Sequence, residues 1–318
     1  MGIDLGTSSV KAMLLDTKEG PLAVRAKGYG VDIPAPGFAQ QAPEVWWASL
    51  KEVLGGLQEV RPKEYGAVAA VGYSGQMHGL VLADAAGTAV RPAIIWLDQR
   101  SKRQMEEIYR KMTEEEMGAV FCNRVSSGFA FPSLLWVKEE EPEALEKAAY
   151  LFCPKDYLRM KMIGQAGTEV VDASSTCMFS TPDRDWAWNI IERFGLPRKL
   201  FPTVGEPLQI AGTVTRACAR ETGLPEGIPV IYGSGDQPAQ SIGNGVCREG
   251  WLVSNIGTGG QISAFVQDPV YDKKLRTNTY CHAAPGGYTM LGATLCAGKS
   301  MGWAKDELFH LEGYGQIN

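Results

Sequence analysis

Asp236 stands in VIYGSGDQPAQSIGNG (230–245), a lone carboxylate among glycines and small residues directly after a strand-like VIY. An acid there has little packing to do and many backbone amides nearby, so it is either a turn residue or a working acid. A second carboxylate, Asp4, precedes another small-residue turn in IDLGTSSVKAMLLD (3–16). A phosphate needs several N–H donors converging on it with no Cβ in the way. Gly6, Thr7 and Ser8 supply amides and hydroxyls together. Asp4 points from the strand end toward the same space, where it could hold a hydrated Mg2+. A related turn, Gly257-Thr258-Gly259 in SNIGTGG (254–260), recurs about 250 residues later. One such turn is ordinary in a hairpin; two, with an acid before the first, point to phosphate. The chain has no G-x-x-x-x-G-K-[ST], and no G-x-G-x-x-G follows the first strand, so neither a P-loop nor a dinucleotide fingerprint is present.

The triplet Gln76-Met77-His78 precedes the apolar run LVL. Methionine is a common filler of core gaps, and Gln76 suits a structural role in orienting the loop. His78 reads either as a buried, hydrogen-bonded core histidine or as the wall of a ligand pocket. Asp98 and Arg100 in WLDQR either pair with each other or cap a helix beginning near Ser101, with substrate contact as the functional alternative. Lys155 and Asp156 suit a helix-start or interdomain ion pair. His282 and His310 have no motif around them and read as structural.

Alternating and helical patterns position these groups. Strand-like segments occur at 2–5, 10–16, 23–33, 67–75, 79–84, 93–98 and 228–235. Helical patterns cover 43–60, which opens with Pro and Glu, then 101–121, 131–148 with an interruption at Pro142, and 155–164, ending at a glycine. Trp46 and Trp47 share the first of these helices, and at least one must enter the core. Strands come partly as meanders and partly with helical crossovers, which predicts a mixed α/β sheet. The repeated strand–Gly-Thr–strand unit predicts two related domains, the second beginning near residue 246.

A chain of 318 residues holds two ordinary domains, and its 45% hydrophobic and 21% charged residues are those of a soluble globular protein. A net charge of −5 with no basic run argues against nucleic acid and anionic membrane as partners. Seven widely spaced cysteines without C-x-x-C read as reduced thiols in a cytoplasmic protein. Three histidines are too few for a histidine-rich metal site.

The motifs resemble those of the FGGY carbohydrate kinases. They are IDLGTSSVKAMLLD, GYSGQMHGLVLAD (72–84), RPAIIWLDQRS (91–101), CPKDYLRMKMIG (153–164), GSGDQPAQSIGNG (233–245) and SNIGTGG, in family order over nearly the whole chain. The resemblance implies an actin-like ATPase (ribonuclease H-like) fold, with two related domains around a cleft. Residues 1–245 would form the sugar-binding and catalytic domain, and 246–318 the beginning of the nucleotide-binding one. It implies ATP and Mg2+ as cofactors and a small sugar as partner. Asp236 would be the base that takes the sugar's proton, Gln76, Met77, His78 and Gln237 would complete the sugar pocket, and Asp4 would act through Mg2+. Gly6, Thr7 and Ser8 from one domain, and Gly257, Thr258 and Gly259 from the other, would meet the phosphates. An unshifted aspartate pKa is sufficient for such a base.

Gln-Met-His is most similar to the xylulokinase branch, which implies conversion of D-xylulose to D-xylulose 5-phosphate. Gln237, where asparagine is common, and Ser74, where alanine is common, keep L-xylulose, L-ribulose, heptuloses, gluconate and glycerol open as substrates. Family members are about half as long again as this chain. The expectation is therefore a chain cut within the second domain, without the glycine-rich adenosine loop. Alone it would have little ATP-dependent turnover and a tendency to self-associate, for instance as a homodimer. A non-catalytic sugar-binding module and an actin-like ATPase of another kind are the rival classes.

Overall fold

The structure, a computed structural model, describes residues 1–257, 259–294 and 296–316. Its first sheet opens as a meander, β1 (Gly2–Leu5), β2 (Ser9–Asp16) and β3 (Gly20–Gly28). β4 (Gly72–Gly75) then pairs parallel to β1, and β5 (Ser234–Gly235) parallel to β4, giving the order β5-β4-β1-β2-β3. Ile3 and Leu5, then Val10, Ala12 and Leu14, alternate into one core face.

Helix α1 (Pro43–Val60) covers that face. It begins with proline at its first position, and Trp46, Leu50, Val53, Leu54 and Leu57 make its buried stripe. Both Trp46 and Trp47 are buried. Burying a side chain such as Leu54 contributes about 2 kcal/mol.

The second sheet contains β6 (Leu252–Ile256), β7 (Gly260–Val266), β8 (Asn278–Cys281) and β9 (Tyr288–Thr294). It is wholly antiparallel, in the order β6-β7-β9-β8. The two Gly-Thr turns differ by one residue. Leu5 pairs with Val10, leaving four residues (6–9) in the first turn; Ile256 pairs with Gly260, leaving three (257–259) in the second. β8 does not stand apart from the first lobe. Asn123 Nδ2 donates to the Thr279 carbonyl (2.8 Å), Thr279 N donates to Asn123 Oδ1 (3.0 Å), and Tyr280 and Cys281 join a core that includes Phe121 and Phe129.

Several elements depart from the sequence-based expectation. The strand expected at 67–75 is confined to Gly72–Gly75, because only these residues find a ladder beside β1. The helix expected at 101–121 divides into Lys102–Lys111 and Glu114–Phe121. Thr113 stops the first and caps the second, its Oγ1 accepting from Glu116 N at 3.1 Å. Ser101 does not cap; its hydroxyl donates to the Ser127 carbonyl (2.8 Å). Pro142 separates Ala130–Glu140 from Pro142–Lys147, as the sequence indicates.

Candidate active site

Three parallel strands end in one row. Leu5 pairs with Gly75 and Gly75 with Gly235, so Gly6, Gln76 and Asp236 leave the sheet at the same edge. Ligands of open α/β sheets bind outside the carboxyl ends of such strands. Two glycines in the row are required by close packing. A Cβ on Gly235 would lie 2.5 Å from Met77 Cγ, and one on Gly75 would lie 3.0 Å from Lys155 Cβ and 3.2 Å from the Leu5 carbonyl oxygen.

Asp236 is the first residue of α2 (Asp236–Gly243). Burial, and then the negative charge of Asp4, push its carboxyl up to about 6, while the amides of Gln237 and Asp236 itself pull the other way. The unshifted carboxylate that would have sufficed is thus not what the fold builds. Asp4 Oδ1 accepts from Ser74 Oγ at 2.7 Å, a contact set by the in-register pairing of the two residues across β1 and β4. Gln237, half-buried, follows Asp236 on α2.

The first turn is held from below. Tyr29 OH donates to the Gly6 carbonyl (2.6 Å), and Gln41 Nε2 donates to the Thr7 carbonyl (2.8 Å). The Thr7 hydroxyl donates to Gln76 Oε1 (3.2 Å) and accepts from Trp96 Nε1 (2.9 Å). Gln76 Nε2 donates to Gln41 Oε1 (3.2 Å), which also takes Trp46 Nε1 (3.2 Å). The Thr7 hydroxyl is therefore tied into the protein. Among the described residues no acceptor takes the amides of Thr7 or Ser8, which leaves those N–H groups for an anion. Gln76 is buried and holds the turn from beneath, in line with the structural role read from the sequence.

Met77 is buried against Gly235. His78 adopts φ 69°, a left-handed conformation uncommon outside glycine and associated with functional sites. Its ring stacks on Phe129 at 4.0 Å between centroids and 4° between planes. Its Nδ1 lies 2.9 Å from the Ser175 carbonyl, and burial pushes its pKa down to about 4. In the second sheet Gly257 N donates to the Gly259 carbonyl (2.9 Å), and the Gly257 carbonyl accepts from Gly298 N (2.9 Å); Thr258 lies outside the described residues. Among the described residues no hydrogen bond joins the two turns.

Two contributors escape sequence reasoning. Gln41 ties Thr7, Gly30, Trp46 and Gln76 together, and nothing in QQAPE marks it. Trp96 is exposed at the cleft edge with its N–H fixed on Thr7, in a segment that reads as an ordinary strand. Asp98 and Arg100 pair at 2.8 Å, the structural alternative, with the guanidinium 4.0 Å over the Phe38 ring.

Behind Gly75 lies a wholly buried ionic cluster. Lys155 Nζ contacts Asp156 (2.7 Å), Glu169 (3.1 Å) and Asp172 (2.9 Å), and Arg159 contacts Asp156 (2.6 Å). Lys155 and Asp156 do form a pair at a helix start, within Pro154–Ile163, but Glu169 and Asp172 enlarge it. His282 is buried, its Nδ1 accepting from Ala284 N (2.8 Å), and His310 is exposed.

A meander extended by two parallel strands, with an acid at the end of the first and another just past the last, and followed by a second meander bearing a similar turn, is the ribonuclease H-like architecture of the actin-like ATPases. Residues 1–243 match the FGGY family of carbohydrate kinases, N-terminal domain, and the chain belongs to that family. It is 33% identical over 307 residues to a xylulose kinase from Lactococcus lactis, covering 96% of this chain and 61% of the relative. It is 33% identical over 317 residues to a xylulose kinase from Bacillus subtilis, covering 100% of this chain and 63% of the relative. The crystal structure of a xylulose kinase from Rhodospirillum rubrum shares the fold, with a TM-score of 0.94 at 24% identity over 99% of this chain and 64% of that one. The chain thus spans somewhat over three-fifths of the length of these relatives.

Proposed function

We propose that this chain binds a ketose, D-xylulose foremost, and that the protein transfers the γ-phosphoryl group of ATP to it, forming D-xylulose 5-phosphate. The observation that carries the reading is the carboxyl of Asp236, at the end of the parallel strands and raised to about 6 by burial and Asp4. A base poised near neutrality is ionised when the sugar arrives and still accepts a proton. The sugar hydroxyl gives its proton to Asp236 as its oxygen bonds to the γ-phosphorus, and the bond to the bridging oxygen of ADP breaks.

Asp4, hydrogen-bonded on one oxygen by Ser74, offers its carboxylate to a hydrated Mg2+. When bound, that ion would neutralise phosphate charge. The Thr7 and Ser8 amides would receive phosphate from the first lobe, and Gly257, Thr258 and Gly259 from the second, with the lobes divided at 245/246. Met77, His78 and Gln237 would face the sugar. Among the described residues no group of acids, histidines or cysteines forms a metal cage, which suits an ion held mainly by water and phosphate. No helix among them is long and apolar enough to cross a membrane. The sugar's identity rests on the names of the relatives; gluconate, glycerol and other ketoses are the competitors to test.

A sugar panel decides it. D-xylulose is expected to raise the melting temperature of the chain, as any ligand of the folded form must. A coupled assay on the whole protein should show sugar-stimulated ADP release that disappears in Asp236→Asn. If no sugar of the panel shifts the melting temperature, the reading fails.

A further inference from the structure

His78 sits in an arrangement that determines which hydrogen bond it can offer. Its Nδ1 is 2.9 Å from the carbonyl oxygen of Ser175, an atom that only accepts, so Nδ1 must carry the proton and donate it. In the neutral ring Nε2 is then a bare acceptor. The plane of the ring is fixed by the parallel stack on Phe129 and by Tyr280, whose ring centroid is 5.6 Å away. The left-handed backbone is fixed as well, since His78 N donates to Ser175 Oγ at 3.3 Å. That hydroxyl in turn donates to the Asp172 carbonyl at 2.8 Å, so its proton and a lone pair are both in use.

Ser175 ends the short buried helix Val170–Ser175. Glu169 caps the start of this helix, accepting from Val171 N (2.6 Å) and Asp172 N (3.0 Å). Ser174 joins it to the second sheet, its Oγ accepting from Cys281 N at 3.1 Å. One turn of helix therefore grips the histidine with one serine and strand β8 with the next. Tyr280, also on β8, packs beside the ring at a tilt of 55°.

We propose that Ser175 is a positioning residue whose carbonyl locks His78 in the Nδ1–H tautomer and whose hydroxyl holds its backbone, so that Nε2 accepts a hydrogen bond from a sugar hydroxyl, and that β8 holds the lock in place. The sugar as ligand rests on the kinase reading above; the tautomer does not. Nε2 in this state pairs with a ligand hydroxyl and finds no partner in a ketone oxygen or a carboxylate. The groups packed on the ring are the Ser175 carbonyl, Phe129 and Tyr280. Only the Tyr280 phenol can titrate, and burial pushes it well above its ordinary value. Burial likewise keeps the ring itself from taking a second proton.

The chain has three histidines, so long-range 1H–15N spectra of histidine-labelled protein resolve the question directly. His78 should show the neutral Nδ1–H pattern, unchanged from about pH 5.5 to 8. His282 should show the opposite tautomer, because its Nδ1 accepts from Ala284 N. His78→Asn assigns the signals by removing one set. Ser175→Ala keeps the carbonyl that sets the tautomer but removes the hydroxyl that holds the His78 amide, so the Nδ1–H pattern should persist while D-xylulose binding weakens about ten-fold, the loss of roughly one buried hydrogen bond. An Nε2–H tautomer in the wild-type chain, or protonation of His78 above about pH 5.5, overturns the proposal. So does a Ser175→Ala chain whose D-xylulose affinity is unchanged. If the tautomer is as stated and D-xylulose does not bind the wild-type chain, the sugar assignment fails while the lock stands.

Discussion

Two groups of carboxylates lie near Gly75, and the protein treats their charge differently. On the inner side Asp156, Glu169 and Asp172 surround Lys155, with Arg159 on Asp156, all of them buried. Burial alone would raise Asp156, but the Lys155 and Arg159 charges outweigh it and hold the carboxyl below its ordinary value. Burial raises Glu169 and Asp172, which answers the excess of three acids over two bases by favouring a shared proton. On the cleft side, burial and Asp4 act on Asp236 with only backbone amides in opposition. The inner cluster settles its charge within the fold. The cleft leaves its charge to be settled by what binds there, which is what a site for a metal ion and a departing proton requires.

The largest effect should fall on the cleft. In the whole protein Asp236→Asn is expected to lower ATP-dependent sugar turnover about 10³-fold while D-xylulose affinity, measured by calorimetry, changes only a few-fold. Near-normal turnover would remove the contrast, since Asp236 would then be as structural as Asp156. Wild-type turnover should also decline as pH falls below about 6, where Asp236 becomes protonated.

Next comes the inner cluster. Lys155→Met leaves three buried carboxyls facing Arg159 alone and should lower unfolding free energy by about 3–5 kcal/mol in denaturant titrations. A loss under about 1 kcal/mol would mean that water reaches the cluster.

A smaller effect has the opposite sign. The folded-state pKa of Asp236 lies above its unfolded value, so the folded state keeps a proton that the unfolded state has released. Its contribution to stability is therefore full below about pH 4 and lost as pH rises through about 6. Asp236→Asn should stabilise the chain by up to about 3 kcal/mol at pH 7.5 and by well under about 1 kcal/mol at pH 4. Equal melting temperatures for the two chains at both pH values would count against the raised pKa. The smallest expected change is Ser74→Ala, which frees one oxygen of Asp4. It should alter the Mg2+ dependence of turnover about two- to five-fold with little effect on stability. An unchanged Mg2+ dependence would separate Asp4 from the metal.

How much of this was legible in the sequence depended on the range of the interactions involved. Helix 43–60 was readable to its ends, because the proline start and apolar stripe are local signals. The two Gly-Thr turns and the acids beside them were readable as patterns, although the one-residue difference between the turns follows from strand pairing. The break at Thr113 was present as Thr-Glu-Glu-Glu, a capping signature overlooked in a run of charges. Lys155 and Asp156 announced a pair, but Glu169 and Asp172 join it only through folding. The raised pKa of Asp236 could not be read at all, for it arises from burial and from an acid more than 200 residues away in the chain.

The placement of Asp236 at the first residue of α2 has a mechanical consequence. The helix runs from the cleft to the second sheet, where Ser241 Oγ meets Ser263 Oγ at 3.4 Å. Eight residues make a rod of about 12 Å. A tilt of about 10° about its far end carries the carboxylate about 2 Å, more than the roughly 1 Å misplacement that costs a catalyst about 10²-fold. Asp236, the base in the proposed reaction, therefore sits at the tip of a lever whose other end touches the second sheet. On that proposal, small rotations of the second sheet would be geared directly into whether the acid reaches its proton, so the angle between the two sheets would act as a throttle on the chemistry.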